Sequence, residues 1–534
     1  MRQKAYDAVI IGAGHNGLVC AHALAKSGLS VLLAERRTVV GGAAVTEEFC
    51  PGYRNSTASY TVSLLAPKVI EEMDLRRHGL RIVLRRMGNF LPMEDGNSLC
   101  LGVNAAADRA EIGRHAPGDV AAYDAYSAML GRVVPALRSL LNRTPPDPKG
   151  GFPAFLDLFP AGRTLNGLPI EAQRDLLELF ASSAGDMLNA RFQGDAIKAL
   201  LGFDSIVGTF GSPYTPGSAY VLLHHVFGEV EGRTGVWGHA MGGMGAITQA
   251  MAQAATEAGA EIVLADGVRE VIIERGRAVG VVTESGRAAR APRVIANVNP
   301  RLLYEHLVPR DALPADFAAR IARYKAGSAT FRMNVALSEL PRFTARPEPG
   351  DHHTAGIIIG PTLGHMDRAY HDAKRDGWSA EPIIEMLIPS TLDDTLAPPG
   401  HHVASLFCQH FAPDLPDGRS WHDVEDQVAD HIIDHVTKFA PNFRASVIGR
   451  LALSPLGLTE RFGLPSGDIF HGALTLDQLY AARPVLGHGN YRGPVKGLYM
   501  CGSGTHPGGG VTGLPGRNAA REVLRDVKGW RGIF

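Results

Sequence analysis

The strongest constraint on this chain lies at its start. Tyr6 to Ile11 reads YDAVII, a short apolar run rich in β-branched residues. Such a run marks a strand buried on both faces of a parallel sheet. Gly12-Ala13-Gly14-His15-Asn16-Gly17 follows at once. The next stretch, LVCAHALAKSG, puts Leu18, Ala21, Leu24 and Ala25 on one helical face, and Gly28 stands where a helix C-cap belongs. LSVLLAE then reads as a second buried strand ending at Glu35. Strand, glycine turn, helix and strand in this order form a dinucleotide-binding fingerprint. Gly12 allows the tight turn, Gly14 lets the backbone approach a pyrophosphate, and Gly17 lets the helix pack close to the strand. His15 and Asn16 open the helix, whose free N–H groups and partial positive charge suit phosphate. Glu35 is placed to accept hydrogen bonds from an adenosine ribose.

The residues after the acid narrow the choice of dinucleotide. Arg36-Arg37-Thr38-Val39-Val40 leads into Gly41-Gly42. A glutamate followed closely by Gly-Gly is characteristic of flavoproteins with two dinucleotide-binding domains, where the turn lies along the pyrophosphate and ribityl chain. The end of the chain repeats the theme. GLYMC (497–501) reads as a strand, then comes Gly502-Ser503-Gly504-Thr505-His506-Pro507-Gly508-Gly509-Gly510-Val511-Thr512-Gly513, and RNAAREVLRDV reads as a helix. Two strand–glycine–helix units at opposite ends predict that the termini meet around one long ligand, FAD. A helix N-terminus beneath a flavin ring would stabilise charge that builds up there during hydride transfer. Only one complete fingerprint is visible, so the flavin is expected to be reduced by the organic substrate and reoxidised by oxygen or a quinone.

Composition sets outer bounds. A chain of 534 residues exceeds the roughly 100–200 expected per domain. Lys+Arg (53) nearly balance Asp+Glu (54), which argues against a large basic surface for nucleic acid. Cys20, Cys50, Cys100, Cys408 and Cys501 are far apart and form no CxxC pair, so neither a redox dithiol nor a metal site is expected. The N-terminus runs almost directly into a strand, and no long charge-free apolar run is present. The expectation is a cytoplasmic protein. GGFPAFLDLFPAG (150–162) could face a membrane and admit a lipid-like substrate. Peripheral membrane contact is left open on that account, and a homodimer is left open as well.

The C-terminal run CGSGTHPGGGVTGLPGRNAA resembles the phytoene-desaturase-like flavoproteins of the flavin amine oxidase superfamily. Within them, GSAYVLLHHVFGEVEG (217–232), WGHAMGGMGAITQAMA (237–252) and GDIFHGALTLDQLYAARP (467–484) are most similar to the group called pyridine nucleotide-disulphide oxidoreductase domain-containing protein 2. The resemblance spans the whole chain. It implies FAD, a bilobal fold and oxidation of a C–H bond by hydride transfer. It also places the backbone of Val268 beside the adenine. Two departures stand out: Ala43 where amine oxidases usually carry Arg, and RNSTASYTVS (54–63) in place of the desaturase-like segment.

The expected fold is α/β and α+β. A Rossmann-like FAD-binding domain would be assembled from 1–84, 236–300 and 486–534. A discontinuous substrate domain would comprise 85–235, largely helical, and 301–485, mixed. In the FAD-binding part, Gly242-Gly243-Met244-Gly245 opens a helix, EIVLADGVREVIIERG (261–276) reads as one strand, and VIANVNP (294–300) returns to the sheet.

Chemistry falls to few side chains. His506, in the C-terminal glycine loop, and Tyr60 are the candidate catalytic residues, although either residue type is also common in loop or packing roles. Of the adjacent His224 and His225, at most one is expected to enter a cavity. His471 is a further candidate, and His239 reads as structural. The leading expectation is an FAD-dependent oxidoreductase that takes hydride from a largely apolar organic substrate. The alternatives are an amine oxidase, a redox-neutral carotenoid-type isomerase, and a non-catalytic escort for a lipidated partner.

Overall fold

Five short parallel strands form the sheet that the fingerprint requires. In the computed structural model, which describes residues 5–148 and 162–528, their order is Glu261–Val263, Val31–Ala34, Ala8–Ile11, Val294–Ala296 and Leu498–Met500. Every residue of Ala8–Ile11 and Val31–Ala34 is buried, which is why both read as unbroken apolar runs. Alternate residues of the first strand serve two cores. Ala8 and Ile10 pack with the helices on one face, and Val9 and Ile11 pack with a three-stranded antiparallel sheet on the other. VIANVNP does return the chain to this sheet, with Val294 opposite Val9.

Helix His15–Lys26 packs against Met244–Glu257 and Leu514–Lys528, and Leu18, Ala21 and Leu24 are fully buried in that contact. The contact with Leu514–Lys528 is possible because Gly516 has no side chain: a Cβ there would lie 2.0 Å from the Asn16 carbonyl oxygen. The two ends of the chain are thus locked together, first in one sheet, where only Val294–Ala296 separates their strands, and then by crossing helices.

EIVLADGVREVIIERG is not one strand. Glu261–Val263 belongs to the parallel sheet, and Val268–Glu274 opens the three-stranded sheet. Between them Ala265 takes a positive φ of 55° and turns the chain, while the Asp266 amide donates to the Glu35 carbonyl at 3.0 Å.

A seven-stranded sheet faces this unit, in the order Val447–Leu453, Thr330–Leu337, His402–Phe411, Trp378–Leu387, Gly356–Ile359, Asn89–Pro92 and Ser98–Leu101. It is antiparallel except where Gly356–Ile359 runs parallel to Asn89–Pro92. The segment expected to be largely helical therefore opens with two strands before its helices begin. One face of the sheet is apolar. Phe331, Met333, Val335, Ile384, Met386, Leu406 and Cys408 pack on helix Trp421–Phe439. The alternation of a strand sends their neighbours Arg332, Asn334, Glu385, Ser405 and Phe407 to the opposite face. Among the described residues, no helix is long and apolar enough to cross a membrane. GGFPAFLDLFPAG lies outside the described residues except for Gly162.

Candidate functional site

A cavity of about 450 Å³ opens at the carboxyl ends of the parallel strands and extends to the polar face of the seven-stranded sheet. Both ends of the chain line it. Gly12, Gly14, His15, Glu35, Arg36, Gly41, Gly42 and Val268 come from the N-terminal unit and the hairpin, and Ser503, Gly510 and Val511 come from the C-terminal loop.

Glu35 is fixed on both oxygens. Oε2 accepts from the Ala13 amide at 2.7 Å and Oε1 from the Arg37 amide at 2.9 Å. A carboxylate offers about four lone-pair sites, so two bonds leave capacity for ribose hydroxyls. The Arg36 side chain points elsewhere, donating from Nη2 to the Arg461 carbonyl at 2.9 Å. Gly14 caps helix His15–Lys26 without a side-chain acceptor, so first-turn amides remain for a phosphate. His15 Nε2 has no hydrogen-bond partner among the described residues. Burial pulls the pKa of His15 down to about 4, against the opposing effect of the Gly510 carbonyl. The uncapped helix end, the anchored acid and the unpaired imidazole nitrogen in one cavity wall fit a long dinucleotide such as FAD.

Four expected cofactor residues stand behind this surface rather than in it. Gly17 packs on the turn, Asn16 donates from Nδ2 to Ser503 Oγ at 3.2 Å, and Gly502 packs on Asn297. Thr512 is turned to its own helix, where Oγ1 accepts from the Leu514 amide at 3.1 Å. The Asn16–Ser503 bond joins the two glycine loops from behind.

The two candidate catalytic residues part company. His506 does not line the cavity. Its Nε2 donates to the Leu140 carbonyl at 3.1 Å, and burial lowers its pKa to about 4. The expectation of a base at this position is corrected: the ring is spent on a backbone carbonyl. Tyr60 does line the cavity. Its hydroxyl donates to Glu385 Oε2 at 2.5 Å, its ring stacks on Phe407 at 5.5 Å, and the Arg332 guanidinium lies 4.5 Å from its centroid. Burial, then the Glu385 charge, pushes its pKa well above the ordinary tyrosine value. Tyr60 is therefore a locked aromatic wall with a protonated hydroxyl, not a base.

His225 lines the cavity and donates from Nδ1 to the Val221 carbonyl at 2.9 Å, whereas His224 does not line it and stands edge-on to Phe470. His471 lines it, with Nδ1 unpaired among the described residues. Burial lowers His225 to about 4 and His471 to about 3. Arg483, fully buried, holds His471 and Ser503 in one frame. Its guanidinium donates to the carbonyls of Phe470 (2.8 Å), Gly472 (3.2 Å) and Ser503 (2.9 Å).

Sequence reasoning singled out none of Arg85, Arg332, Glu385 or Asn297. Arg332 and Glu385 are charged residues alternating with apolar ones inside buried strands, a signal that could have found them. Asn297 directly follows a strand of the parallel sheet, at the edge where ligands bind in such folds. Its Nδ2 donates to the Gly12 carbonyl at 3.2 Å.

His239 is a structural clamp. Its Nε2 lies 2.8 Å from Asp393 Oδ2, which also accepts from the Gly242 amide at 2.6 Å. Burial alone would raise the Asp393 pKa, but His239, Thr395 and the Gly242 amide outweigh it and hold the carboxyl well below the usual range. A depressed folded-state pKa contributes stability above the unfolded value and loses it as pH falls through the folded one. The urea midpoint of the wild type is expected to drop more steeply than that of Asp393→Asn between about pH 5 and about pH 2. Equal slopes would mean that the clamp does not couple to folding.

The sequence model described as flavin containing amine oxidoreductase matches residues 17–524. The mouse (Mus musculus) protein "Pyridine nucleotide-disulfide oxidoreductase domain-containing protein 2" is 43% identical over 98% of this chain and 94% of its own. One of the subunits of the limonene dehydrogenase of Castellaniella defragrans is 26% identical over 98% of this chain and 95% of its own. Among solved structures, an oxidoreductase from Methanosarcina mazei superimposes with a TM-score of 0.60 at 17% identity, covering 97% of this chain and 99% of the other.

Proposed function

The chain belongs to the flavin containing amine oxidoreductase family, it is an oxidoreductase with FAD as its cofactor, and from that premise we propose that it dehydrogenates a largely apolar organic substrate and passes the electrons to oxygen or a quinone. The observation that carries this reading is the character of the cavity beyond the glycine turns. Leu64, Val207, Phe407, Ile469 and Phe470 form its walls. A hydrocarbon gains stability in such a site by about 25 cal/mol for each Å² it withdraws from water. That part of a limonene dehydrogenase is among the relatives points the same way.

FAD, when bound, supplies a two-electron acceptor for a C–H bond. The protein's part is to hold and dry the site. Glu35 and the uncapped helix end would fix the cofactor's polar portion, and the Tyr60–Phe407 pair would present a rigid aromatic surface to the substrate. The cavity's imidazoles, held neutral by burial, are weak proton acceptors. That suits oxidation begun by hydride departure rather than by prior deprotonation of carbon.

The test is anaerobic titration of the yellow holoenzyme. Terpenes, polyenes or long-chain acyl compounds are expected to bleach the flavin band while simple amines do not. Bleaching by amines alone would overturn the proposal in favour of amine oxidation.

A further inference from the structure

A second cavity, of about 480 Å³, shares His225 and Trp237 with the first. It differs in charge. Its ionisable lining includes Arg85, Arg138, Arg233 and a single carboxyl, Asp204. Arg138 is already used, donating to the Phe227 and Gly228 carbonyls. Arg85 is not. The Glu385 charge acts on it from beyond ion-pairing distance, and its one side-chain hydrogen bond among the described residues goes from Nη2 to Thr61 Oγ1 at 2.5 Å. A guanidinium carries five N–H donors, so most of this one remains available.

Arg85 also sits at the junction of the two cavities. Its partner Thr61 lines the first, and its guanidinium lies 5.7 Å from the ring centre of Trp237, which lines both. Asp204 does not neutralise it. Burial, then the Glu385 charge, raises the Asp204 carboxyl to about 8, which makes it a weaker competing anion at neutral pH than an ordinary carboxylate. The rest of the wall mixes polar side chains, Asn89, Ser127 and Thr234, with apolar and aromatic ones such as Leu130, Val134, Leu200 and Tyr126.

We propose that the second cavity is the head-group compartment for an apolar substrate bearing a carboxylate, which Arg85 holds while the hydrocarbon body reaches past His225 and Trp237 into the first cavity. A planar carboxylate matches the guanidinium fork in a way that an alcohol or ester does not. The hydrocarbon half of this inference rests on the dehydrogenase reading above; the anion site does not.

Isothermal titration of the FAD-loaded wild type with dodecanoate and with dodecanol tests it directly. Dodecanoate is expected to bind about tenfold more tightly or better, the worth of a charge-assisted hydrogen-bond pair. Arg85→Gln is expected to erase that preference and Arg85→Lys to keep part of it. Gly131 stands at the rim of the cavity, where a Cβ meets nothing within 4 Å. Gly131→Phe should therefore weaken both ligands while the fold survives. Equal affinity of acid and alcohol for the wild type would overturn the inference, whatever the variants do. Dodecanoate binding without bleaching by any apolar compound would uphold the anion site and sink the dehydrogenase reading. Bleaching by neutral hydrocarbons with no preference for the acid would do the reverse.

Discussion

Gly17→Val is expected to leave the purified protein colourless. A Cβ at Gly17 would stand 2.3 Å from the Gly12 carbonyl oxygen and 2.8 Å from Asn297 Nδ2. Neither neighbour can yield cheaply. The Gly12 carbonyl belongs to the turn that would face the cofactor's phosphates, and Asn297 bonds that same carbonyl. Helix His15–Lys26 would have to lift from the sheet, carrying its first-turn amides out of reach of the phosphates. Overpacking of this kind costs about 1–3 kcal/mol of stability. The effect on FAD is expected to be larger, because the anion site depends on close positioning. Absorbance near the flavin bands and FAD released on denaturation measure it. A yellow Gly17→Val protein with full FAD content would show that the turn does not set the cofactor's position.

Glu385→Ala is expected to lower folding stability by about 3–5 kcal/mol, because it leaves buried positive charge uncompensated. Glu385 is 8% exposed, and the Arg332 side chain is among the largest fully buried in the protein. Nη2 of Arg332 donates to Ser405 Oγ at 2.6 Å, but Nε and Nη1 have no hydrogen-bond partner among the described residues. The nearby Glu385 charge supports both Arg332 and Arg85. Its loss would also free the Tyr60 hydroxyl. Glu385→Gln removes the same charge but keeps an acceptor for Tyr60 and fills the site, so it should cost less than Glu385→Ala by about 1–3 kcal/mol, the penalty of leaving the buried hydroxyl unpaired. Urea unfolding of the three proteins gives the ranking. A loss under about 1 kcal/mol for Glu385→Ala would mean that water already neutralises the cluster.

These two cases also show what the sequence could and could not say. Gly12, Gly14, Gly17 and Glu35 were legible because their roles are set by neighbours a few residues away in a strand–turn–helix unit. The meeting of the chain ends was legible because the second unit repeats the first in kind. The Tyr60–Glu385–Arg332 cluster was not, since it depends on which strands pair and which face of a seven-stranded sheet looks inward. His506 failed for the same reason. Its loop is recognisable in the sequence, but the direction of its ring is decided by Leu140, at the end of a helix remote in sequence. The break at Ala265 shows a local limit too: an apolar run gives no warning that it serves two sheets in turn.

Both ends of the chain line the cavity that would enclose one FAD. Hydrogen–deuterium exchange on the FAD-free and FAD-loaded protein tests it most directly. Protection is expected to appear together at residues 12–17, 41–44 and 503–511 when FAD is added. Protection of the N-terminal segments alone, with 503–511 unchanged, would contradict it.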